Sequence, residues 1–395
     1  MRRNPPPIEL TRPRLLILSP TTGRGGAEDY ILTVGDAAAG AGWDVTVSLE
    51  SGPGTAGLVD ELEASPQLGY LDAPVSDDGT RSRFMPVRQA LAVSRVVARA
   101  RPDVAMVALP WPTHGLGQIL ALARSRVPTA VVFHLVPWKM PLGRRGALYR
   151  WAHERGQQWL AVSNQTRDAV GASFGLPADR IRTIYNGVPS TDEPLATDVA
   201  GAREALRDEL GLPEHAQIVI TVGRLHEQKG YPDLLEILPK ILDGRPDTFF
   251  LWVGDGEMRA ELASAVLGRD LQEHVRLLGR REDVPALLQA SDLFLLPSRY
   301  EGHPFALLEA MATGVPIVAS DAGGAPEIMR DGVDGLVHAR GDLDDLATKL
   351  SWALDHPTEM EAFAESARSR VAEFPQTRML EQTLALLREL ADKRR

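Results

Sequence analysis

The hydrophobic positions along the chain form short apolar runs separated by longer segments with helical periodicity. In the first half the runs are RPRLLILSP, WDVTVSLE, DVAMVALP, PTAVVFHL and QWLAVS, with AEDYILTVGDAAAGAG and VRQALAVSRVVARA among the helical segments between them. Strands that are apolar throughout and alternate with helices are typical of a parallel sheet covered on both faces. The first half therefore predicts a doubly wound α/β domain.

The same pattern begins again in the second half of the chain. YNGVPSTDEPLATD is rich in Pro, Asp and Thr and is interpreted as a linker. After it, AQIVITVG, DTFFLWVG, HVRLLG, DLFLLP and PIVAS provide a second series of strands. In such sheets ligands bind beyond the carboxyl ends of the strands, where the strand order reverses. We therefore predict two tandem Rossmann-like α/β domains that face a central cleft.

The predicted boundaries follow from these segments. The interpretation gives a flexible N-terminal tail, an acceptor-binding first domain, a second domain that binds the donor, and a leucine-striped C-terminal helix that crosses back to the first domain. In that order, the four segments are residues 1–13, 14–190, 191–375 and 376–395.

Length and composition agree with this organisation. A chain of 395 residues is too long for one ordinary core and suits two domains. The sequence has no cysteine, which excludes disulfides and thiolate metal sites and suits a reducing cytoplasm. The N-terminal residues carry positive charge without an apolar stretch, and no run of 18 apolar residues occurs, so neither a signal peptide nor a membrane span is expected. We expect a cytoplasmic enzyme, at most peripheral at the inner face of the membrane.

The charge is distributed unevenly between the two halves. Met1–Pro189 contains 21 Lys+Arg against 16 Asp+Glu, whereas the whole chain has 43 against 53. A basic first half predicts an anionic acceptor or an anionic membrane surface. Ordinary variation of surface charge would explain the same counts. The arginines proposed to meet phosphate are Arg81, Arg83, Arg88, Arg144 and Arg145.

Two segments of the second half carry candidate chemistry. In TVGRLHEQKGY, Arg224 leaves the end of a strand, Lys229 is predicted to begin the next helix, and Gly223 and Gly230 permit a turn and a close approach. Two cations beside a helix N-terminus favour a diphosphate. A pair of solvated surface charges is the alternative.

The second segment is SRYEGHPFALLEAMATGVPIVAS. Pro304 fits the first turn of a helix, so the amides of Phe305 and Ala306 would point towards a phosphate. Glu309 lies about one turn further along and can accept from both hydroxyls of a ribose, while Glu301 can accept from a second ring. The pattern indicates a nucleotide-sugar. As an alternative, both glutamates would be helix-capping and surface carboxylates.

Several motifs together resemble the retaining glycosyltransferases of family 4, which have the GT-B fold. They are GRGGAE, VVFHLVP, IYNGVP, VGRLHEQKG, WVGDGEMRAEL and the long segment from LGRREDVPALL to MRDGVDGLV. The resemblance covers nearly the whole chain and is most specific from Thr221 to Val337. Glu301 and Glu309 match the family's pair of glutamates separated by seven residues, in which the first contacts the donor sugar and the second the ribose.

The resemblance implies roles for the remaining site residues. Arg224 and Lys229 match the pair that holds the donor diphosphate, and His134 matches the histidine that closes over the sugar and the reacting centre. A satisfied structural histidine is the alternative for His134. Asp255 and Arg259 match elements that shape the pocket. The catalytic set is His134, Arg224, Lys229 and Glu301, and the donor-binding set is Gly25, Gly26, Arg224, Lys229, Glu301, Gly302, His303, Pro304, Phe305, Ala306 and Glu309.

The implied reaction moves a sugar from a UDP- or GDP-linked donor to a hydroxyl of a sugar, polyol, lipid-linked or natural-product acceptor. No cofactor and no metal are expected, because fixed cations and helix amides would stabilise the leaving diphosphate. In the family the leaving phosphate is thought to take the acceptor proton on the same face. Trp111 and Trp138, after two strand ends of the first half, are candidates for stacking on the acceptor, although core or rim packing would explain them equally.

Competing interpretations fit the residues less well. Ser173 in GASFG lacks the strand-to-helix context of a hydrolase nucleophile, and Glu28 replaces the third glycine of a dinucleotide fingerprint, in which Glu50 would be the ribose acid. Asp342 and Asp344 look like a metal motif but are better explained as a helix cap. A nucleotide-sugar epimerase of the same fold and a non-catalytic binding subunit remain as alternatives.

Overall fold

The structure is a computed structural model of the chain. It describes residues 12–77, 84–189 and 199–393. Outside these ranges lie most of the predicted N-terminal tail, the basic residues Arg81 and Arg83, and the larger part of the predicted linker.

The strands of the described residues form two sheets. The first is seven-stranded with the order β3-β2-β1-β4-β5-β6-β7, and the second is six-stranded with the order β10-β9-β8-β11-β12-β13. The strands are β1 Arg14–Leu18, β2 Asp44–Leu49, β3 Leu68–Asp72, β4 Val104–Leu109, β5 Thr129–Phe133, β6 Gln157–Ala161, β7 Ile181–Thr183, β8 Gln217–Val222, β9 Thr248–Val253, β10 Val275–Gly279, β11 Leu293–Leu296, β12 Ile317–Ser320 and β13 Leu336–His338.

Helices connect these strands throughout the described ranges. They are α1 Gly26–Gly40, α2 Ala56–Ala64, α3 Met85–Ala100, α4 Leu116–Arg124, α5 Arg145–His153, α6 Asn164–Phe174, α7 Val199–Leu210, α8 Tyr231–Leu242, α9 Arg259–Gly268, α10 Val284–Ala290, α11 Phe305–Thr313, α12 Ala325–Ile328, α13 Leu343–Asp355, α14 Pro357–Arg370 and α15 Gln376–Asp392. None of the helices in the part of the chain covered by the structure has the length and apolarity needed to cross a lipid bilayer.

Parallel pairing with helical crossovers confirms the predicted fold class. Strand β1 pairs in parallel with β2 and with β4, and β8 pairs in parallel with β9 and with β11. In each sheet the second and third strands are added on one side of the first strand. The later strands are then added on its other side. The strand order therefore reverses between β1 and β4, and again between β8 and β11. These reversals are the positions where doubly wound sheets bind ligands.

The second sheet shows why its strands are apolar at every position. Ile218 and Ile220 of β8 belong to one hydrophobic core, and Val219 belongs to another. Because successive side chains of a strand point to opposite faces, a sheet covered on both sides needs apolar residues at each position. The same holds in the first sheet for β4, which is buried along its whole length.

The chain divides into two compact units. The first comprises Met1–Val132, Gly143–Trp159 and Thr383–Arg395, as far as these are described, and the second comprises Phe133–Leu142 and Leu160–Gln382. The end of α15 thus belongs to the first unit, where Thr383 Oγ1 lies 3.3 Å from the hydroxyl of Tyr30. The boundaries drawn from the sequence stay predictions.

Three strands and one packed segment were missed by the pattern. The strands β3, β7 and β13 lie at the edges of the sheets, where few side chains are buried, and only three to five residues form each. The interpretation of Tyr185–Pro189 as linker was wrong. Asn186 is 3% exposed, and the amide of Val188 donates to the carbonyl of Phe374 at 3.1 Å.

Candidate functional site

Two chain segments meet beyond the reversal of strand order in the second sheet. Leu293 and Phe294 of β11 pair with Val219 and Ile220 of β8, so the segments after these strands leave the same edge side by side. Gly230 has φ of 76°, and a Cβ there would overlap the carbonyl oxygen of Pro297. The predicted close approach at Gly230 is therefore confirmed, since only glycine combines that backbone angle with that contact.

A lysine and a glutamate from these segments form an almost buried ion pair. Lys229 Nζ lies 2.6 Å from Glu301 Oε1, with the side chains 17% and 6% exposed. The hydroxyl of Ser298 donates to the same oxygen at 2.6 Å. Two of the predicted catalytic residues are thus held together, and the lysine and Ser298 fix the orientation of the glutamate.

The position of Lys229 differs from the prediction in one respect. Lys229 does not begin the next helix but ends a single 3-10 turn, Glu227–Lys229, and α8 begins at Tyr231. The left-handed Gly230 between them redirects the chain. As a result the ammonium group points to Glu301 rather than along the side of α8.

Arg224 is held by a different carboxylate. Its Nε lies 3.1 Å from Glu257 Oε2, and Glu257 Oε1 lies 3.1 Å from His226 Nε2. His226 Nδ1 accepts from the amide of Gln228 at 3.0 Å, so the ring proton is on Nε2 and is donated to Glu257. Burial lowers the pKa of His226, and the Glu257 carboxylate opposes this change. Glu257 uses the Nε of Arg224 and leaves the terminal guanidinium nitrogens for other partners.

The N-terminus of α11 begins one residue after Pro304. Pro304 is extended and no side chain of the described residues caps this helix end, in contrast to α6 and α13, which Ser163 and Asp342 cap. The first amides of a helix have no partner within it and carry partial positive charge. Phe305 and Ala306 therefore present amides suited to an anion. Glu309 lies on the next turn and is half-buried.

His134 follows β5 and lies against the segment that carries Glu301. A Cβ at Gly302 would overlap the carbonyl oxygen of His134, so the two backbones touch. Burial lowers the pKa of His134 to about 3. At neutral pH its imidazole is consequently uncharged. The structure thus brings His134 beside Gly302.

His303 is a second histidine of this region and is less exposed to solvent than His134. It is 2% exposed, and its ring packs 5.0 Å from the ring centroid of Tyr185 and 5.2 Å from that of Phe374. Burial lowers its pKa to about 3. Its carbonyl accepts from Asn186 Nδ2 at 2.7 Å, which ties the segment after β11 to the segment after β7.

Two further glycines pack against Glu301 and Gly302. A Cβ at Gly323, where φ is 56°, would overlap the carbonyl oxygen of Glu301, and one at Gly324 would overlap that of Gly302. The amide of Gly324 donates to the carbonyl of Gly302 at 2.8 Å. The backbone that carries the glutamate is therefore closely surrounded, which fixes its position.

The predicted glycines of the first unit lie at the start of α1. Gly25 is extended and precedes the helix, Gly26 is its first residue, and no side chain caps this end. Glu28, which stands where a dinucleotide fingerprint has its third glycine, is buried. Trp111, after β4, is half-buried, and Trp138, after β5, is 54% exposed.

The remaining motifs have structural explanations. Ser173 lies inside α6, and its hydroxyl accepts from the amide of Met140 at 3.0 Å, so it is not placed as a hydrolase nucleophile. Asp342 accepts from the amides of Asp344 and Asp345, which confirms the helix cap. Arg259 Nη2 contacts the carbonyl of Leu277 at 3.4 Å. In the described ranges no group of three or more His, Asp or Glu side chains is arranged to hold a metal ion.

The carboxylate of Glu327 occupies the N-terminal end of α6. Its carboxylate accepts from the amides of Asn164 and Gln165, the first residues of α6, at 3.0 and 2.7 Å. The hydroxyl of Tyr185 donates to the same carboxylate at 2.8 Å. Ser163 also accepts from the amide of Thr166 at 3.1 Å. The amides at the start of α6 are thus satisfied by the protein itself.

Two family models together match most of the chain. Residues 24–192 match the model described as Glycosyltransferase Family 4, and residues 202–370 match the model described as Glycosyl transferases group 1. The chain belongs to the family 4 glycosyltransferases. The resemblance deduced from its motifs is confirmed, as is the GT-B type of fold.

Among curated proteins, the chain is 30% identical over 303 residues to alpha-maltose-1-phosphate synthase of Mycolicibacterium smegmatis, covering 71% of this chain and 78% of that protein. It is 33% identical over 243 residues to the GDP-mannose-dependent monoacylated alpha-(1-6)-phosphatidylinositol monomannoside mannosyltransferase of Corynebacterium glutamicum, covering 55% and 63%. With alpha-D-kanosaminyltransferase of Streptomyces kanamyceticus it shares 29% over 220 residues, 55% and 56% of the two chains. For several curated relatives, the match thus spans little more than half of the relative's length.

Solved structures share the fold across nearly the whole chain. A glycosyltransferase from Rickettsia africae superposes with a TM-score of 0.77 at 20% identity, covering 96% of this chain and 99% of that one. An Anabaena protein, HepE, solved in complex with UDP-glucose, gives 0.75 at 22% identity, covering 95% and 99%. At such identities the likeness establishes the fold of this family member and nothing finer.

Four residues of the site were not singled out from the sequence. Ser298 and Glu257 act through side-chain contacts with Glu301 and Arg224, which depend on how distant segments pack. Gly323 and Gly324 had a signal, because adjacent glycines directly after an apolar strand indicate close backbone approach.

Proposed function

We propose that this protein transfers a sugar from a nucleoside-diphosphate sugar, UDP- or GDP-linked, to a hydroxyl of an acceptor. We further propose that the anomeric configuration is retained and that no metal is required. The observation that carries the proposal is the 2.6 Å contact between Lys229 and Glu301 at the reversal of strand order between β8 and β11. The proposal is supported because the pair combines a cation suited to a diphosphate with a carboxylate suited to sugar hydroxyls.

The proposed chemistry rests on fixed positive charge. As the bond between sugar and diphosphate breaks, negative charge grows on the leaving phosphate. Arg224, Lys229 and the first amides of α11 would stabilise that charge by preorganised electrostatics, and one such donor is typically worth about 10²–10³ in rate. Glu257, Ser298 and the close-packed glycines hold these groups before substrate binds, which reduces the reorganisation that catalysis requires.

The carboxylates are assigned to the rings on either side of the diphosphate. Glu309 is proposed to accept from the ribose hydroxyls and Glu301 from the donor sugar. His134, with its pKa lowered to about 3, is proposed to contact the sugar as a neutral imidazole rather than as an acid. No carboxylate is assigned as a nucleophile; the leaving phosphate is proposed to take the acceptor proton on the same face.

The acceptor is proposed to be hydroxylated and anionic, with Trp111 and Trp138 as candidate contacts. The excess of Lys+Arg over Asp+Glu before Pro189 supports an anionic acceptor. One relative of this chain, from Escherichia coli, is named as a galactosyltransferase acting on a diphosphoundecaprenol-linked sugar, and another acts on a phosphatidylinositol mannoside. These names support a lipid-linked or phosphorylated acceptor.

A thermal-shift screen tests the donor assignment. UDP, GDP, ADP and TDP are added separately, each with and without EDTA. At a concentration 100-fold above its dissociation constant, the correct diphosphate should stabilise the protein by about 2.7 kcal/mol, with or without chelator. Loss of the shift in Glu309→Ala would place the nucleotide at this site. No shift with any diphosphate would contradict the proposal.

Turnover separates the alternatives. A transferase releases free nucleoside diphosphate in proportion to product, and a nucleotide-sugar epimerase converts the donor without releasing it. A binding subunit would show the thermal shift and neither reaction. The configuration of the product, read from the anomeric proton coupling by NMR, decides between retention and inversion.

A further inference from the structure

The first unit carries an unusual excess of positive charge along one stretch of sequence. From Phe84 to Val132 and from Gly143 to His153, the residues of this unit include nine arginines and one acidic residue, Asp103. That carboxylate accepts from the amide of Arg14 at 2.9 Å and pairs with its guanidinium at 3.4 Å. Arg88 pairs with Glu50, which lies outside this stretch. Within the stretch, no acidic residue is left to neutralise the other arginines.

Helix α3 presents both apolar and basic side chains to solvent. Phe84, Val87 and Leu91 are 79%, 56% and 59% exposed. They recur at the spacing of one helical face, and Arg95 and Arg99 continue that face towards the C-terminus. The opposite face is buried. A helix exposed in this way has the composition of helices that lie in the interface of a bilayer.

Helix α5 has a second exposed apolar pair. Leu148 and Trp151 are 44% and 37% exposed, and Arg144 and Arg145 are exposed at its start. The Arg155 guanidinium lies 4.3 Å from the ring centroid of Trp151. Five of the nine large hydrophobic side chains that are exposed in the described residues thus belong to, or flank, α3 and α5.

The two helices cover the same face of the first sheet. The connections β3–β4, β4–β5 and β5–β6 all proceed in one direction across the sheet, and right-handed crossovers put their helices α3, α4 and α5 on one side. Helix α4 packs against both of the others and is buried except at Leu120 and Arg124. The exposed sides of α3 and α5 consequently belong to one surface, which we call the α3/α5 face.

We propose that the α3/α5 face docks on an anionic phospholipid bilayer. Phe84, Val87, Leu91, Leu148 and Trp151 would enter the boundary between headgroups and acyl chains, and the arginines would lie at the level of the phosphates. The exposed apolar side chains favour a bilayer over nucleic acid as the partner, because nucleic acid offers no apolar layer in which to bury them. A second copy is disfavoured, because a two-fold interface would place arginines against arginines.

Vesicle sedimentation of the full chain tests the proposal. Sucrose-loaded vesicles of phosphatidylcholine alone are compared with vesicles containing one quarter phosphatidylglycerol, at 50 and 300 mM NaCl. Binding is expected to the anionic vesicles only and to weaken with salt. Arg95→Gln and Arg99→Gln should each lower the partition coefficient about fivefold. Phe84→Ser with Leu91→Ser should lower it at least about tenfold.

Matched controls come from the second unit. Leu267→Ser with Val333→Ser removes two apolar side chains that are 63% and 44% exposed, and Arg340→Gln removes an exposed arginine. Both variants should partition like the wild type. Each variant alters exposed residues, and unchanged circular dichroism and Tm verify folding. Partitioning is independent of turnover, so this test and the test of the proposed function can fail separately.

Three outcomes overturn the proposal. The first is equal binding to neutral and anionic vesicles. The second is wild-type binding by the Phe84→Ser/Leu91→Ser variant, which would move the contact elsewhere. The third is a dimer in sedimentation equilibrium that the same variant dissociates, since the α3/α5 face would then belong to a second copy.

Discussion

Lys229 and Glu301 are 72 residues apart in sequence and form one almost buried ion pair, with Nζ 2.6 Å from Oε1. The pair joins the two segments that leave β8 and β11. The pair affects stability, because each partner compensates the charge of the other. It also affects turnover, because both residues are proposed to bind the donor.

Removing the lysine alone should affect stability more than removing both charges. Lys229→Met leaves Glu301 without its cation in a buried position, which should cost about 1–3 kcal/mol of unfolding free energy. Adding Glu301→Gln should restore part of that loss. Urea denaturation measures both effects. Turnover should remain about 10²-fold or more below wild type in both variants; recovery of activity in the double variant would contradict the assignment.

Ser298→Ala should lower kcat about tenfold while the unfolding free energy falls by only about 1 kcal/mol. The hydroxyl donates to Glu301 Oε1, so its loss loosens the carboxylate without removing a charge. Ser291→Ala is the matched control, because Ser291 is equally buried but lies before β11, at the other end of the strand. A similar loss of kcat in both variants would argue against a positioning role for Ser298.

Glu257→Gln should weaken donor binding and leave stability nearly unchanged. The Arg224–Glu257 pair is half exposed and contributes little to folding, at most about 1 kcal/mol. Without the carboxylate, Arg224 loses its fixed orientation, and KM for the donor should rise about tenfold with a smaller change in kcat. Steady-state kinetics measure the two constants. Glu236→Gln, which breaks the exposed Arg269–Glu236 pair, should change neither.

Gly302→Ala should reduce both stability and activity. The added methyl group would overlap the carbonyl oxygen of His134, so the backbone must shift beside Glu301. We expect a loss of about 1–3 kcal/mol, as for overpacked sites. Gly268→Ala, at the end of α9 with no atom within 4 Å of the new Cβ, is the control and should be neutral or slightly stabilising. Equal thermal unfolding of the two variants would refute the predicted close contact.

Mild acid should destabilise the protein through its buried histidines. Burial lowers the pKa of His134 and His303 to about 3, compared with about 6.5 in the unfolded chain. Between these values the unfolded state binds more protons, so stability is lost as the pH falls below 6.5. Each histidine contributes about 1.4 kcal/mol per pH unit.

The contribution of one histidine is isolated by comparing wild type with His303→Leu. Urea denaturation at pH 7.0, 6.0 and 5.5 gives the pH dependence of each protein. The slope of the unfolding free energy against pH should be smaller for the variant by the contribution of His303. Identical slopes would mean that this ring is protonated in the folded state over the same range.

The sequence predicts much of this fold because doubly wound sheets leave a clear hydrophobic pattern. Apolar strands such as β8 and β11 are covered on both faces, and their continuous hydrophobic runs predict them. The edge strands β3, β7 and β13 were missed, since an edge position buries few side chains. Their identification depends on pairing with a neighbour, which no local pattern encodes.

For the site, residue type and position after a strand were enough to select Arg224, Lys229, Glu301 and Glu309. The contacts that orient them were not predictable. Ser298 is close to Glu301 in sequence, but serine residues are common and its direction depends on the turn after β11. Glu257 reaches Arg224 only because β8 and β9 are neighbours. Likewise, the close contact of Gly230 with Pro297 joins segments that are distant in sequence.

The carboxylate of Glu327 has a broader consequence for how this fold chooses its ligand. A parallel sheet aligns many helices so that their amide-rich ends emerge at one edge, and each end attracts anions. At α6 the chain supplies its own anion, so a phosphate arriving there would meet negative charge rather than amides. The carboxylate of Glu327 therefore removes the start of α6 as an anion site, whereas no side chain of the described residues caps the start of α11.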